Sequence, residues 1–285
     1  MVAPEVGAFL STTRIKDPAD ACAAVQALGF RIIQFGKLPD SSYTPVGHAK
    51  LDRIVRQHDL TAISLCVVFD GERYDTVESV STTVGFLPEE PLQGRLAYTR
   101  ACIDTAAALD IPVVTFHMGM LPSSPTSVPY QRVQRAVDEV GSYAQKQGVT
   151  IGLETGQESA AELLSFLDRL DAPIKVNYDG GNFIAYTTDD PLDALKALYP
   201  QVVGVHIKDR LPPPQPGLIG PGERLGKGTA RVDETLQLLI ELGWAHPIIL
   251  ETYAVKGDDP IETLTHARAY VLARLERLNR TLVPA

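Results

Sequence analysis

The sequence predicts an α/β chain folded as a (β/α)8 TIM barrel, with residues 1–285 forming one domain. Three observations carry this. Short apolar, β-branched stretches alternate with helical stretches at roughly 35 residues per unit, the arithmetic of a parallel barrel. Eight such strands can be placed, more than an open doubly wound sheet usually carries at this length. Neither a G-x-G-x-x-G turn after a strand nor a Walker A motif is present, which also counts against that competitor.

The elements follow in order. Residues 6–10 form a first strand, and Asp17-Pro18 is an N-cap with proline at the first helical position, opening a helix to about Leu28 that Gly29 ends. Residues 30–35 are the second strand, 46–58 a helix and 61–69 a third, β-branched strand. The polar run 70–87 reads as a functional loop, because a segment of that length without structure is unusual in a compact domain. A helix from Pro88 or slightly later reaches Leu109, the fourth strand is 113–119, and a Pro- and Ser-rich loop (121–129) leads to a helix over 130–147. Residues 150–156 and 174–179 are strands five and six, with a helix at 159–170 between them. Asp190-Pro191 caps the next helix, 202–209 is the seventh strand, 247–253 the eighth, and Asp259-Pro260 starts a final helix to about Leu278.

The seventh strand shows the alternation that organises the chain. Val203, Val205 and Ile207 share one face, while Gly204, His206 and Lys208 share the other. Strand four repeats it, with Thr115 and His117 opposite Val114, Phe116 and Met118. So do strand five, with Gly152 and Glu154, strand six, with Asn177 and Asp179, and strand eight, with Ile249 and Glu251.

A formal net charge of -9 argues against a nucleic-acid or anionic-membrane surface, since both need clustered cations. No apolar run approaches the roughly 18 residues of a spanning helix, and residues 1–5 show neither a basic region nor an apolar core, so a cytoplasmic location is expected. Cys22, Cys66 and Cys102 are far apart and read as buried thiols rather than as a disulfide framework or zinc ribbon.

His117, Glu154, Asp179, His206 and Glu251 all fall at or near the C-terminal ends of strands four to eight, which in a barrel converge on the mouth where active sites form. Taken singly, a strand-end Glu is more often a cap or ion-pair partner, and His117 could be a satisfied core histidine. Taken together, two Glu, one Asp and one His form a hard, oxygen-rich cage for Mn²⁺, Mg²⁺, Co²⁺ or Zn²⁺, and a dication would relieve the repulsion of three carboxylates. His48, His58, His246 and His266 fall on helices or a loop and read as surface or helix-end residues. Lys208 and Asp209 form either an ion pair at the mouth or substrate contacts. The proline-rich run 211–216 reads as a stiff lid.

The set Phe116-His117-Met118-Gly119, Leu153-Glu154-Thr155-Gly156, Asn177-Tyr178-Asp179-Gly180-Gly181-Asn182, Val205-His206-Ile207-Lys208-Asp209, Leu225-Gly226-Lys227-Gly228 and Ile249-Leu250-Glu251 resembles the xylose-isomerase-like TIM-barrel superfamily. Within it the chain looks most like the sugar phosphate isomerase/epimerase group. The resemblance implies that Glu154, Asp179, His206 and Glu251 hold one divalent ion, Mn²⁺ first and Mg²⁺, Co²⁺ or Zn²⁺ as alternatives. It implies that Glu154 and Glu251 form the acid/base pair, and His117 matches a barrel-mouth histidine that is an extra metal ligand in endonuclease IV of the same superfamily; His117, Asn182 and Lys208 are the expected substrate contacts. Two departures stand out. Asn182 replaces a commonly found His, removing a ligand that a trinuclear zinc cluster requires, and Pro212 stands where ketose epimerases have a substrate-oriented Arg.

The implied activity is isomerisation or epimerisation of a keto-sugar or related polyol, by proton transfer through a metal-bound enediolate. The alternatives are a metal-dependent lyase or dehydratase on a keto-sugar or inosose, and a non-catalytic sugar-binding subunit. The expected partners are a small sugar or polyol and a second copy of the chain in a homo-oligomer, with neither nucleic acid nor membrane.

Overall fold

The computed structural model describes residues 3–253, 255 and 257–282. Met1 and Val2, on which part of the reading of the N-terminus fell, lie outside the described residues, as do residues 254, 256 and 283–285. Eight parallel strands close into a barrel: β1 (Val6–Phe9), β2 (Ile32–Phe35), β3 (Thr61–Cys66), β4 (Val113–Phe116), β5 (Thr150–Glu154), β6 (Lys175–Asp179), β7 (Val202–Ile207) and β10 (Ile248–Leu250), the last pairing with both β1 and β7. Because every strand is parallel, all eight C-terminal ends open on one mouth.

The core is a shell between the barrel and its helices. Outward-facing Val114, Phe116, Ile151, Leu153, Val176, Tyr178, Val205 and Ile207 are buried there against α4 (Leu92–Ala108), α5 (Val128–Lys146) and their neighbours. Inside the barrel, Phe9, Ile32 and Ile249 form a separate apolar floor, packed by Ile63 and Cys66. The three cysteines are free thiols, but Cys66 is only half-buried and faces the mouth, because inward-facing positions at the end of β3 border its cavity. No helix of the described residues is long and apolar enough to cross a membrane.

Local chemistry explains the helix starts. Asp17 caps α1 (Pro18–Ala27) by accepting from Ala19 N and Asp20 N, and Asp190 caps α8 (Pro191–Leu198) in the same way. Three departures from the sequence reading concern the mouth. The run 70–87 is not all loop: Thr76 and Ser79 form a reciprocal capping pair that starts α3 (Val77–Thr83). Directly after β6, α7 (Gly180–Tyr186) turns in on the cap supplied by Asp179. The seventh strand stops at Ile207, and Asp209–Arg210 (β8) pairs antiparallel with Gly222–Glu223 (β9) in a hairpin. Its proline-rich arm is mostly exposed; the returning residues Ile219 to Gly222 cover the mouth. A further helix, α9 (Val232–Glu241), follows the hairpin.

Candidate active site

Alternation in the strands delivers the site. With Leu153 facing the shell, Glu154 points inward; the same parity turns Asp179 and His206 inward, and the pairing Asp179↔His206 sets them side by side. Glu251 lies one residue past β10, where its N–H donates to Ile207 O (3.1 Å) and holds it in line with β7. Glycines clear the space. A Cβ at Gly204 would fall 2.2 Å from Asn177 Oδ1, and one at Gly156, whose φ is +115, would fall 2.1 Å from Asn182 Cβ.

Three carboxylates converge on one nitrogen. His206 Nδ1 lies 3.0 Å from Glu154 Oε1, 2.9 Å from Glu251 Oε2 and 3.9 Å from Asp179 Oδ2. One ligand atom from each of Glu154, Asp179, His206 and Glu251 falls within 4.8 Å of the others. Lys208 Nζ is 2.6 Å from Asp179 Oδ2 and 2.9 Å from Glu251 Oε2. Despite that approach, Asp179 Oδ2 has no hydrogen bond of proper geometry, while Asp179 Oδ1 accepts from Gly181 N (2.9 Å) and Asn182 N (3.3 Å) at the start of α7. The carboxylate is thus oriented through Oδ1, while Oδ2 faces the Lys208 ammonium.

A chain of hydrogen bonds reaches the imidazole from β2 and β4. Gln34 Nε2 donates to Thr115 Oγ1 (3.2 Å), which turns the Gln34 amide oxygen to His206 Nε2 at 2.7 Å. With the proton on Nε2, the Nδ1 lone pair faces the carboxylates, an arrangement that needs a proton or a metal cation among them. Asn177 Nδ2 donates to Glu154 Oε2 and holds that carboxylate in place. Phe9 stacks under the His206 ring, with centroids 5.8 Å apart.

The charges are strongly interdependent. Burial alone would lower His206, but the Glu154 carboxylate, helped by Glu251, raises it to about 10. Burial raises Asp179 to about 7, against the pull of Lys208 and with the push of Glu154 and Glu251. Burial also works against ionised Glu154 and Glu251, yet the His206 and Lys208 charges hold both below the usual carboxylate value, Glu251 well below it. Burial opposes the Lys208 charge too, and Asp179 and Glu251 outweigh it. The donor set fits a hard divalent cation: three carboxylates and one imidazole nitrogen, with a buried Asp179 oxygen left unsatisfied. Such an ion with the Lys208 ammonium would neutralise the three carboxylates while leaving His206 uncharged.

Glu154, His206 and Glu251 of the cluster form one wall of a cavity of about 520 Å³, a usual size for a small-molecule site, with Asp179 buried behind them. His117, Asn182 and Lys208 line it, as do Tyr74, Tyr186, Arg210 and Tyr253. Burial lowers His117 to about 4, so its ring is neutral, and its Nδ1 has no partner. Asn182 Nδ2 donates to Thr155 O (3.0 Å). The segments over the mouth touch each other: Thr76 bridges to Leu218, and Val77 N donates to Gly217 O at 2.9 Å.

The structure therefore brings together all four residues expected as ligands, and His117, Asn182 and Lys208 on the same cavity. It rules out a Lys208–Asp209 pair: Lys208 turns to Asp179 and Glu251, while Asp209 spends its carboxylate on four backbone N–H groups, those of Arg210, Gly226, Gly228 and Ala230. Sequence reasoning missed Gln34, Arg210 and Tyr253. Gln34 could have been found, since it is the lone polar residue in Ile32-Ile33-Gln34-Phe35 and shares the inward parity of Ile32.

Residues 22–275 match the family model described as xylose isomerase-like TIM barrel. Among curated relatives, L-ribulose-5-phosphate 3-epimerase UlaE of Escherichia coli O139:H28 is 24% identical over 152 residues, a match spanning 52% of this chain and 51%, about half, of that relative. Among solved structures, a xylose isomerase domain protein from Planctomyces limnophilus is 25% identical with a TM-score of 0.86, covering 98% of both chains. A D-psicose 3-epimerase with D-tagatose from Clostridium cellulolyticum H10 shares the fold at a TM-score of 0.70 and 16% identity, over 96% of this chain and 99% of its own.

Proposed function

The chain belongs to the xylose isomerase-like TIM barrel family, and from that premise we propose that it is a divalent-metal-dependent isomerase or epimerase of a keto-sugar or related polyol. One observation carries the reading: oxygens of three carboxylates lie within 3.9 Å of His206 Nδ1 while the Gln34 amide oxygen lies 2.7 Å from Nε2, so a cation at Nδ1 would find four donors around it. Glu154, Asp179, His206 and Glu251 would hold the ion, Mn²⁺ first and Mg²⁺, Co²⁺ or Zn²⁺ next, in keeping with the hard donor set. When bound, the ion supplies Lewis-acid polarisation of a substrate carbonyl and its neighbouring hydroxyl.

The remaining work falls to the side chains of one barrel domain. Glu154 and Glu251, both held ionised, would take a proton from the carbon beside the carbonyl and return one from the other side or to the adjacent carbon. The Lys208 ammonium, beside Glu251, is positioned to donate to substrate oxygen as enediolate charge develops. Neutral His117 and the amide of Asn182 contact the hydroxyls of the same substrate from the cavity wall. The relatedness to an L-ribulose-5-phosphate 3-epimerase over about half the chain supports the same class of reaction.

The test is turnover of a panel of ketoses in D₂O by the Mn²⁺-loaded protein, read by mass spectrometry and NMR. Deuterium beside the carbonyl in a product of otherwise unchanged formula is expected. Loss of one water would instead identify a dehydratase, and no exchange with any member of the panel would remove the proton-transfer reading.

A further inference from the structure

We propose that the substrate carries an anionic group, a phosphate or a carboxylate, remote from the reacting carbons, and that Arg210 binds it. The inference rests on the reading of the mouth as a sugar site and adds the substrate's charge.

Arg210 is 9% exposed and lines the same cavity as Glu154 and Glu251. Its partners are neutral. Nη1 donates to Gly220 O at 2.7 Å, Nη2 donates to the Tyr253 hydroxyl, and Nε is buried with no hydrogen-bond partner. The guanidinium lies over the Tyr253 ring, 4.5 Å from its centroid. Among the described residues no carboxylate forms an ion pair with it: the adjacent Asp209 has both oxygens committed to backbone N–H groups. A guanidinium so buried and without a counter-ion is costly unless something else supplies the negative charge.

The neighbouring cation is different. Lys208 is matched by Asp179 and Glu251 and belongs to the charge balance of the acid cluster. Lys208 Nζ also lies 5.6 Å from the centroid of the Tyr253 ring, so the two cations pack on one aromatic side chain. Arg210 thus borders the cavity beside the same tyrosine as Lys208, so a keto-sugar with its carbonyl at the carboxylates would turn its far end toward the guanidinium. Gly222 closes the hairpin onto this arrangement, since a Cβ there would fall 2.3 Å from Tyr253 Cγ. The planar fork of Arg suits phosphate and carboxylate oxygens, for which it offers paired donors, far better than a lone sugar hydroxyl.

The experiment compares D-ribulose, D-ribulose 5-phosphate and 5-keto-D-gluconate by titration calorimetry on the Mn²⁺-loaded protein, with Arg210→Met and Arg210→Lys beside it. At least one anionic probe is expected to bind ~10-fold or more tightly than neutral ribulose, about 1.4 kcal/mol. Arg210→Met should reduce that ratio to near one, and Arg210→Lys should keep part of it. The ratio is taken within each protein, so a general loss of affinity in a variant does not move it. Which anionic probe gains identifies phosphate or carboxylate. Wild-type protein that binds neither anion more tightly than ribulose, or an Arg210→Met protein that keeps the ratio, overturns the inference. Failure of the proposed function reads out separately: an Arg210-dependent ratio without deuterium exchange sinks the isomerase and leaves the anion site, and exchange with neutral ketoses alone does the reverse.

Discussion

Gln34 Oε1 and His206 Nε2 lie 2.7 Å apart across the barrel although 172 positions separate the two residues in sequence. With its Nε2 proton donated to Gln34, an imidazole that has lost the Nδ1 proton to a metal would present that nitrogen's lone pair to the carboxylate cluster, the role an outer hydrogen-bond acceptor plays for a metal-binding histidine. Gln34→Leu should therefore weaken binding of Mn²⁺ by about 10- to 100-fold in a competition with a chelator. An unchanged affinity would mean that the imidazole orients itself without the amide.

About one divalent ion per chain is expected in protein purified without chelator, held by the four clustered residues. Elemental analysis decides this. The double variant Asp179→Ala, His206→Ala should lose the ion, because it removes the unsatisfied carboxylate oxygen and the nitrogen at the centre of the cluster. Retention of stoichiometric metal by that variant would place the site elsewhere.

The parts of this site that could be read in the sequence are those that strand alternation controls. Glu154, Asp179 and His206 each follow an outward apolar residue, so their inward direction needs only the period of two. Contacts between distant strands were invisible for the opposite reason: alternation shows which face Gln34 occupies, not that a barrel closes β2 toward β7. Helix α7 was not legible in the sequence, because it opens on Gly180-Gly181, two residues of low helix propensity. The start of α7 depends on Asp179 accepting two backbone N–H groups and on Thr155 Oγ1 accepting from Asp179 N at 2.8 Å, a tertiary arrangement. Asp209 read as the end of the seventh strand, because nothing local announces the pairing of Asp209–Arg210 with Gly222–Glu223.

Replacing Glu154 or Glu251 by Gln keeps size and an oxygen ligand but removes the base. Each change should cost at least about 10²-fold in turnover on a confirmed substrate, with metal content falling less. Full activity in both variants would exclude the two-carboxylate mechanism. A large loss in only one would identify the carboxylate that carries the rate-limiting transfer.

Glu158 supplies a test of stability that does not depend on the metal. It is 5% exposed, its Oε1 has no partner, and burial, reinforced by the Glu162 charge, raises its carboxyl from 4.5 to about 8. Between those values the folded protein keeps a proton that the unfolded chain has released. The stability linked to that proton is complete below about pH 4.5 and is lost as pH rises toward 8. Glu158→Gln cannot ionise, so its stability relative to wild type should climb between pH 5 and pH 8 and then level off, by an amount on the order of a few kcal/mol. Urea denaturation of both proteins at pH 5, 6.5 and 8 measures the difference. A difference that stays constant with pH would show that Glu158 titrates near its ordinary value, through a water or a local opening that relieves its burial.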